Sequence, residues 1–125
     1  MNDQTIEQEI QAKGLTAPRI TPDDIEANIA SEHYFRADEG VYGASRNPME
    51  KGLAVPSTFV LGDHPLSLLT FCVIVLRNGF TVTGESACAS PENFDAEIGR
   101  KIARQNAVQK IWPLMGYELK SRLPA

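Results

Sequence analysis

Arg100 and Arg104 stand four residues apart. On a helix that spacing puts two guanidiniums one turn apart, so they form one basic patch that can grip a single phosphate or carboxylate. Lys101 lies near an apolar side of the same helix, and Gln105 falls in the middle of it. A polar residue inside an apolar stripe signals a buried hydrogen bond or a wet interface. Trp112 and Tyr117 flank Pro113 and offer rings on which a base could stack, aided by Arg104 or Lys101. His33-Tyr34-Phe35-Arg36 is a second aromatic and basic cluster. The plainer reading pairs Glu97 with Lys101, lets Asp95 cap the helix and Arg100 and Arg104 face solvent, and packs the aromatics inward. These residues are candidates for contact with a ligand or partner.

Covalent and metal chemistry finds less support. A nucleophile needs a base and an orienting group, and no elbow motif surrounds Ser86 or Cys88. His33 and His64 lack the short internal spacing of a zinc site. Gly79 and Gly84 belong to a hairpin rather than to a phosphate loop. We therefore expect no catalytic residues, no metal and no cofactor. With Arg77 opposite Phe80, Cys72 faces Glu85 and Cys88 opposes Leu69. The two thiols then point to opposite faces, roughly 10 Å apart along the strands, and stay free.

The elements that must position these residues follow from local signals. Residues 3–13 read as a short amphipathic helix stopped by Gly14. Thr21-Pro22-Asp23-Asp24 opens a second helix running to about Tyr34, with Thr21 as cap and Pro22 in the first turn. Residues 36–57 read as an irregular loop, broken by Gly40, Gly43, Pro48, Gly52 and Pro56 and carrying Tyr42, Arg46 and Met49. Thr58–Leu61 reads as a short strand. Residues 67–87 form a β-hairpin about Asn78-Gly79, the preferred two-residue turn. Its register puts Phe71, Val73, Val75, Phe80 and Val82 on one face. Leu68, Cys72, Ile74, Leu76, Thr81, Thr83 and Glu85 take the other. The first strand is apolar on both sides and so reads as central.

Ser90-Pro91-Glu92 opens a long helix to about Trp112, where Pro113 breaks or kinks it. Phe94, Ile98, Ile102, Val108 and Trp112 form its apolar side. Ala96, Gly99, Ala103 and Ala107 form a stripe of small residues where another backbone could come close. A short helix from Leu114 to Leu123 follows. The fold class is α+β: a small antiparallel sheet on the hairpin, a long C-terminal helix packed on it, and N-terminal helices.

The chain has 125 residues and a net charge of −4, which suits one domain able to bury its own core. Residues 1–76 hold five Lys/Arg against eleven Asp/Glu, and residues 77–125 hold seven against five. The asymmetry hints at an interaction face, while the total charge does not suit a nucleic-acid coat. The acidic, polar N-terminus does not read as a signal peptide, and the run Phe71–Leu76 is far too short to span a bilayer. The expected setting is the host cytoplasm, with no membrane partner.

Leu69-Thr-Phe-Cys-Val-Ile-Val-Leu-Arg-Asn-Gly-Phe-Thr-Val-Thr-Gly-Glu-Ser-Ala-Cys88, then Asn93 to Arg104 and Ile111-Trp-Pro-Leu-Met-Gly-Tyr117, resembles a family of small tailed-phage and prophage proteins of unassigned function. The resemblance covers residues 33–35 and roughly 68–123, and implies an accessory protein. A hairpin feeding a helix with Gly99, Ala103 and Ala107 also looks somewhat like half of a double-stranded-RNA-binding domain. Here, however, the helix starts acidic at Pro91-Glu92-Asn93-Phe94-Asp95, which repels phosphates. The expectation is a non-enzymatic binder of a host protein or a nucleotide-like signal, directed at host defence. A nucleic-acid-binding accessory protein is the alternative. A homodimer covering the sheet edge or the small-residue stripe is also expected.

Overall fold

The computed structural model describes residues 2–45 and 61–125. Among these residues four helices accompany a three-stranded antiparallel sheet, so the α+β expectation holds. Helix α1 spans Asp3–Ala12, α2 Pro22–Ala27, α3 Ala37–Ser45 and α4 Ala96–Arg122. Strands β1 (Ile29–Arg36), β2 (Leu69–Leu76) and β3 (Thr81–Ala87) lie in the order β1-β2-β3. Single 3₁₀ turns at Pro65–Leu68 and Pro91–Asn93 precede β2 and α4.

Local signals set the helix starts. Thr21 and Asp24 close a reciprocal capping box, with Pro22 in the first turn. Gly14, at φ +67°, follows the end of α1. The second helix, however, ends at Ala27 rather than near Tyr34. Residues Ile29–Arg36 form a strand instead, because β2 is apolar on both faces and needs a partner on each edge. His33, Tyr34, Phe35 and Arg36 therefore sit on an edge strand, not at a helix end. The irregular stretch expected from residue 36 begins with α3. Its remainder, residues 46–57, and residues 58–60 of the expected short strand lie outside the described residues, while Leu61 is a turn residue.

The hairpin turn contains Asn78-Gly79, but in a three-residue loop. The Leu76 N–H donates to the Phe80 carbonyl at 2.8 Å and the Gly79 N–H to the Leu76 carbonyl at 2.9 Å. Only glycines have positive φ among the described residues, and Gly79 stands at +89°. A two-residue type I′ turn needs positive φ at both central residues, so Asn78 excludes it. The alternative is a type I turn followed by a left-handed glycine. Arg77 is thus not opposite Phe80, and the register slips by one. Cys72 faces Gly84, and Val82 joins Cys72, Ile74 and Leu76 beneath α4. Thr81, Thr83 and Glu85 share the outer face with Phe71, Val73 and Val75. Cys88 donates its N–H to the Leu68 carbonyl. Four positions then separate the thiols, on the order of 13 Å of strand, on the same side of the ladder. Both are free, as expected, but not for the reason of opposite faces.

Helix α4 starts later and ends later than its sequence suggests. Asp95 caps it, accepting from the Ile98 N–H at 3.0 Å, while Ser90 makes no side-chain cap bond. It then runs through Pro113 to Arg122 without a break, so no separate helix begins at Leu114. Pro113 and Gln109 are both exposed. Water can therefore serve the Gln109 carbonyl that proline leaves without a donor. The small-residue side, not the aliphatic one, faces the sheet. Ala103, Ala107, Val108 and Ile111 are buried with Ile25, Cys72, Ile74, Leu76 and Val82. Ile98 and Ile102 remain 56% and 42% exposed. Because Ala103 and Ala107 press on Gly84, that stripe is spent inside one chain and cannot serve a second copy.

Candidate functional site

Helix α4 lies over β3 and β2, and a groove opens between it and the elements on its other flank, β1, α2 and the start of α1. The groove has two recesses. One, of about 470 Å³, lies among α1, α2 and α4, with Lys101, Arg104, Gln105, Gln109 and Trp112 along its α4 wall. The other, of about 290 Å³, lies between β1 and the start of α4, with Tyr34, Arg36, Thr70, Phe94 and Arg100 around it. Six of the seven candidate residues thus meet along one groove. Tyr117 is 78% exposed and borders neither recess.

The Arg104–Glu32 pair stands between the recesses. Arg104 Nε donates to Glu32 at 2.7 Å and Nη2 donates to Glu26 at 2.7 Å. These bonds, to Glu32 first, push the Arg104 pKa up. The Arg104 guanidinium in turn holds the Glu32 carboxyl below its usual range. Tyr34 donates its phenol to Glu32 at 2.7 Å. Burial first, and that donation second, push the phenol pKa up. Burial also pushes up the Cys72 thiol behind it, which keeps the thiol protonated and inert. The single basic patch read from Arg100 and Arg104 is therefore divided: two carboxylates neutralise Arg104.

Arg36 is also committed. It donates to the buried Asp38 through Nε at 3.0 Å and Nη2 at 3.2 Å. Burial alone would raise the Asp38 carboxyl, but Arg36 and the Gly62 N–H, at 2.8 Å, outweigh it and hold it low. Lys101 makes an exposed contact with Glu97 at 3.3 Å, a pair that competes weakly with a ligand. Arg100 is exposed and has no ion pair among the described residues. Four cations along the groove, Arg36, Arg100, Lys101 and Arg104, stand among five carboxylates, Glu26, Glu32, Asp38, Glu39 and Glu97.

Trp112 is half-buried and lies under α1, not on the hairpin as a core aromatic would. Its indole donates to Asp3 at 3.1 Å. Three residues of the groove escaped the sequence reading. Glu26 and Glu32 lie 78 and 72 residues from Arg104, too far for any helix-spacing rule. Thr70 looked like an ordinary strand former.

Among the described residues no group of three or more His, Cys, Asp or Glu could hold a metal. His33 contacts Ser31, and His64 Nδ1 accepts from the Leu66 N–H. Among the described residues no helix is long and apolar enough to cross a membrane.

The fold and groove define an α+β protein whose candidate chemistry is concentrated on one long helix and an edge strand. Residues 20–123 match the phage protein (N4 Gp49/phage Sf6 gene 66) family, and the chain belongs to it. Helix α1 lies outside the matched span. No curated protein and no solved structure matches the chain.

Proposed function

We propose that this is a non-enzymatic phage accessory protein that captures a host protein or a small nucleotide-like signal in the groove along α4, in the host cytoplasm, and thereby counters host defence. The observation that carries the reading is Arg100. It is an uncommitted guanidinium at the mouth of a recess, on a rigid 27-residue helix, beside aromatic residues. A planar fork of donors suits phosphate and carboxylate alike. The test is recovery of what co-purifies with the protein from infected cells. Arg100→Glu is expected to abolish that capture without altering the melting temperature. Unchanged capture would remove the groove as the site.

The nucleic-acid alternative draws less support from the same geometry. Binding along a phosphate backbone needs several uncompensated cations and weakens steeply with salt. Here carboxylates outnumber the cations of the groove. Affinity for the captured partner is accordingly expected to change little between 50 and 200 mM salt, roughly the range in which backbone binders lose several orders of magnitude. A homodimer, if formed, would use a sheet edge, and light scattering at high micromolar concentration tests it.

A further inference from the structure

We propose that the recess between β1 and the first turns of α4 binds a ligand carrying one phosphate and one planar ring, a nucleoside monophosphate in class. The inference rests on the reading of the groove as the capture surface.

Thr70 is the key observation. It is 4% exposed and lines the recess. Its hydroxyl makes no hydrogen bond to another described residue, and since no enclosed side-chain oxygen among those residues lacks a partner, it keeps contact with the open volume. A hydroxyl that reaches open volume from a side chain otherwise held in the core is a fixed donor and acceptor that a ligand can take over from water. Arg100 lies on the same recess with its guanidinium free. A hydroxyl and a guanidinium converging on one space match a phosphate, which accepts from both.

The rest of the wall sets the other half of the ligand. Tyr34 and Phe94 both border the recess. The Tyr34 phenol is spent on Glu32, so the side chain offers a ligand its ring rather than its hydroxyl. Such rings stack on bases without regard to sequence. The charge balance limits the phosphate count to one. Arg36 is engaged by Asp38 and Glu39, and Glu39 itself borders the recess. A second phosphate would meet that carboxylate instead of a cation. The volume of about 290 Å³ is at the small end of ligand pockets, which run from about 300 Å³ upward.

The full chain is titrated by calorimetry with adenosine, guanosine, cytidine and uridine 5′-monophosphates. Adenosine, adenosine triphosphate and inorganic phosphate are run beside them. At least one monophosphate is expected to bind saturably, ten times or more tighter than phosphate, adenosine or the triphosphate. Arg100→Gln and Thr70→Val are each expected to lower that affinity about tenfold, while Lys110→Gln, at an exposed position bordering neither recess, leaves it unchanged. Thr70→Val is scored only if it melts like the parent chain; Arg100, being exposed, supplies a variant that keeps its fold. Absence of saturable binding by all four monophosphates overturns the proposal, as does an affinity that Arg100→Gln leaves intact. If no monophosphate binds but Arg100→Glu abolishes capture of the co-purifying partner, the ligand class is wrong and the capture reading stands. If a monophosphate binds through Arg100 while that capture survives Arg100→Glu, this site stands and the capture reading falls.

Discussion

Gly84 of β3 lies against the Ala103 carbonyl and the Ala107 amide of α4 so closely that a β-carbon on it would have no room. Gly99, one turn before Ala103, meets Thr70 in the same way but less tightly. This contact sets how far α4 stands from the sheet, and with it the width of the groove on the other flank.

The obstruction is backbone, which cannot rotate away as a side chain could. Gly84→Ala is therefore expected to destabilise the protein by about 3 kcal/mol, the upper part of the range for overpacked cores. Urea denaturation measures it. A loss below about 1 kcal/mol would mean that α4 can lift without cost, against the tight packing expected of a protein interior.

The Arg104 pairs give a pH-dependent prediction. Glu32 has a folded pKa below its ordinary value, through its bond to Arg104. Its contribution is therefore fully present above the unfolded carboxylate value, about 4.3, and is lost as pH falls through the lower folded value. Arg104→Gln should cost about 1 kcal/mol at neutral pH, since both partners are partly solvated. The deficit should shrink when the same denaturation is run near pH 3. A deficit independent of pH would assign Arg104 a packing role only. Arg104→Glu is a poor probe of binding, because it would set three carboxylates together and disturb the fold.

What the sequence revealed is what short-range chemistry writes. Thr21-Pro22-Asp23-Asp24 announces α2 because its cap, its proline and its dipole charges are all local. Asn78-Gly79 announces a hairpin, but its register depends on the sign of one φ at Asn78, which composition does not fix. Strand β1 was hidden because Ile25 and Ile29 have helical spacing, while the reason for a strand lies in β2, forty residues on. The groove was half legible. Arg100, Tyr34 and Arg36 stood out by type. The carboxylates that silence Arg104, and the Thr70 hydroxyl at the recess, come into place only once β1 and β2 are brought beneath α4.

Pro113 should be replaceable with profit. It lies inside α4 on an exposed position and denies the Gln109 carbonyl a donor. Pro113→Ala restores that bond and removes the ring clash. The change is expected to stabilise the chain, by up to about 3 kcal/mol. A higher denaturation midpoint with unchanged slope would bear this out. Loss of stability would show that the ring is held by packing which the exposed position does not suggest.

Trp112 and α1 form the last test. Helix α1 is tied down chiefly by the Trp112 indole bond to Asp3 and by the paired bonds of Arg19 to Glu7, at 2.5 and 2.7 Å. An apolar crevice of about 220 Å³ lies beneath it, among Ile6, Ile10, Ile20 and Trp112. An interface with so little packing should open separately from the rest of the fold. Trp112→Phe keeps most of the ring but removes the donor, so α1 amides should lose protection in hydrogen exchange while global stability falls by only about 1 kcal/mol. Trp112→Ala should cost about 2 kcal/mol, less than the larger losses of fully buried aromatics, because the ring is half-buried at the edge of the core, with α1 over it. A loss above about 4 kcal/mol would instead make Trp112 a core residue and α1 an integral part of the fold, in which case its protection in Trp112→Phe would match that of β2.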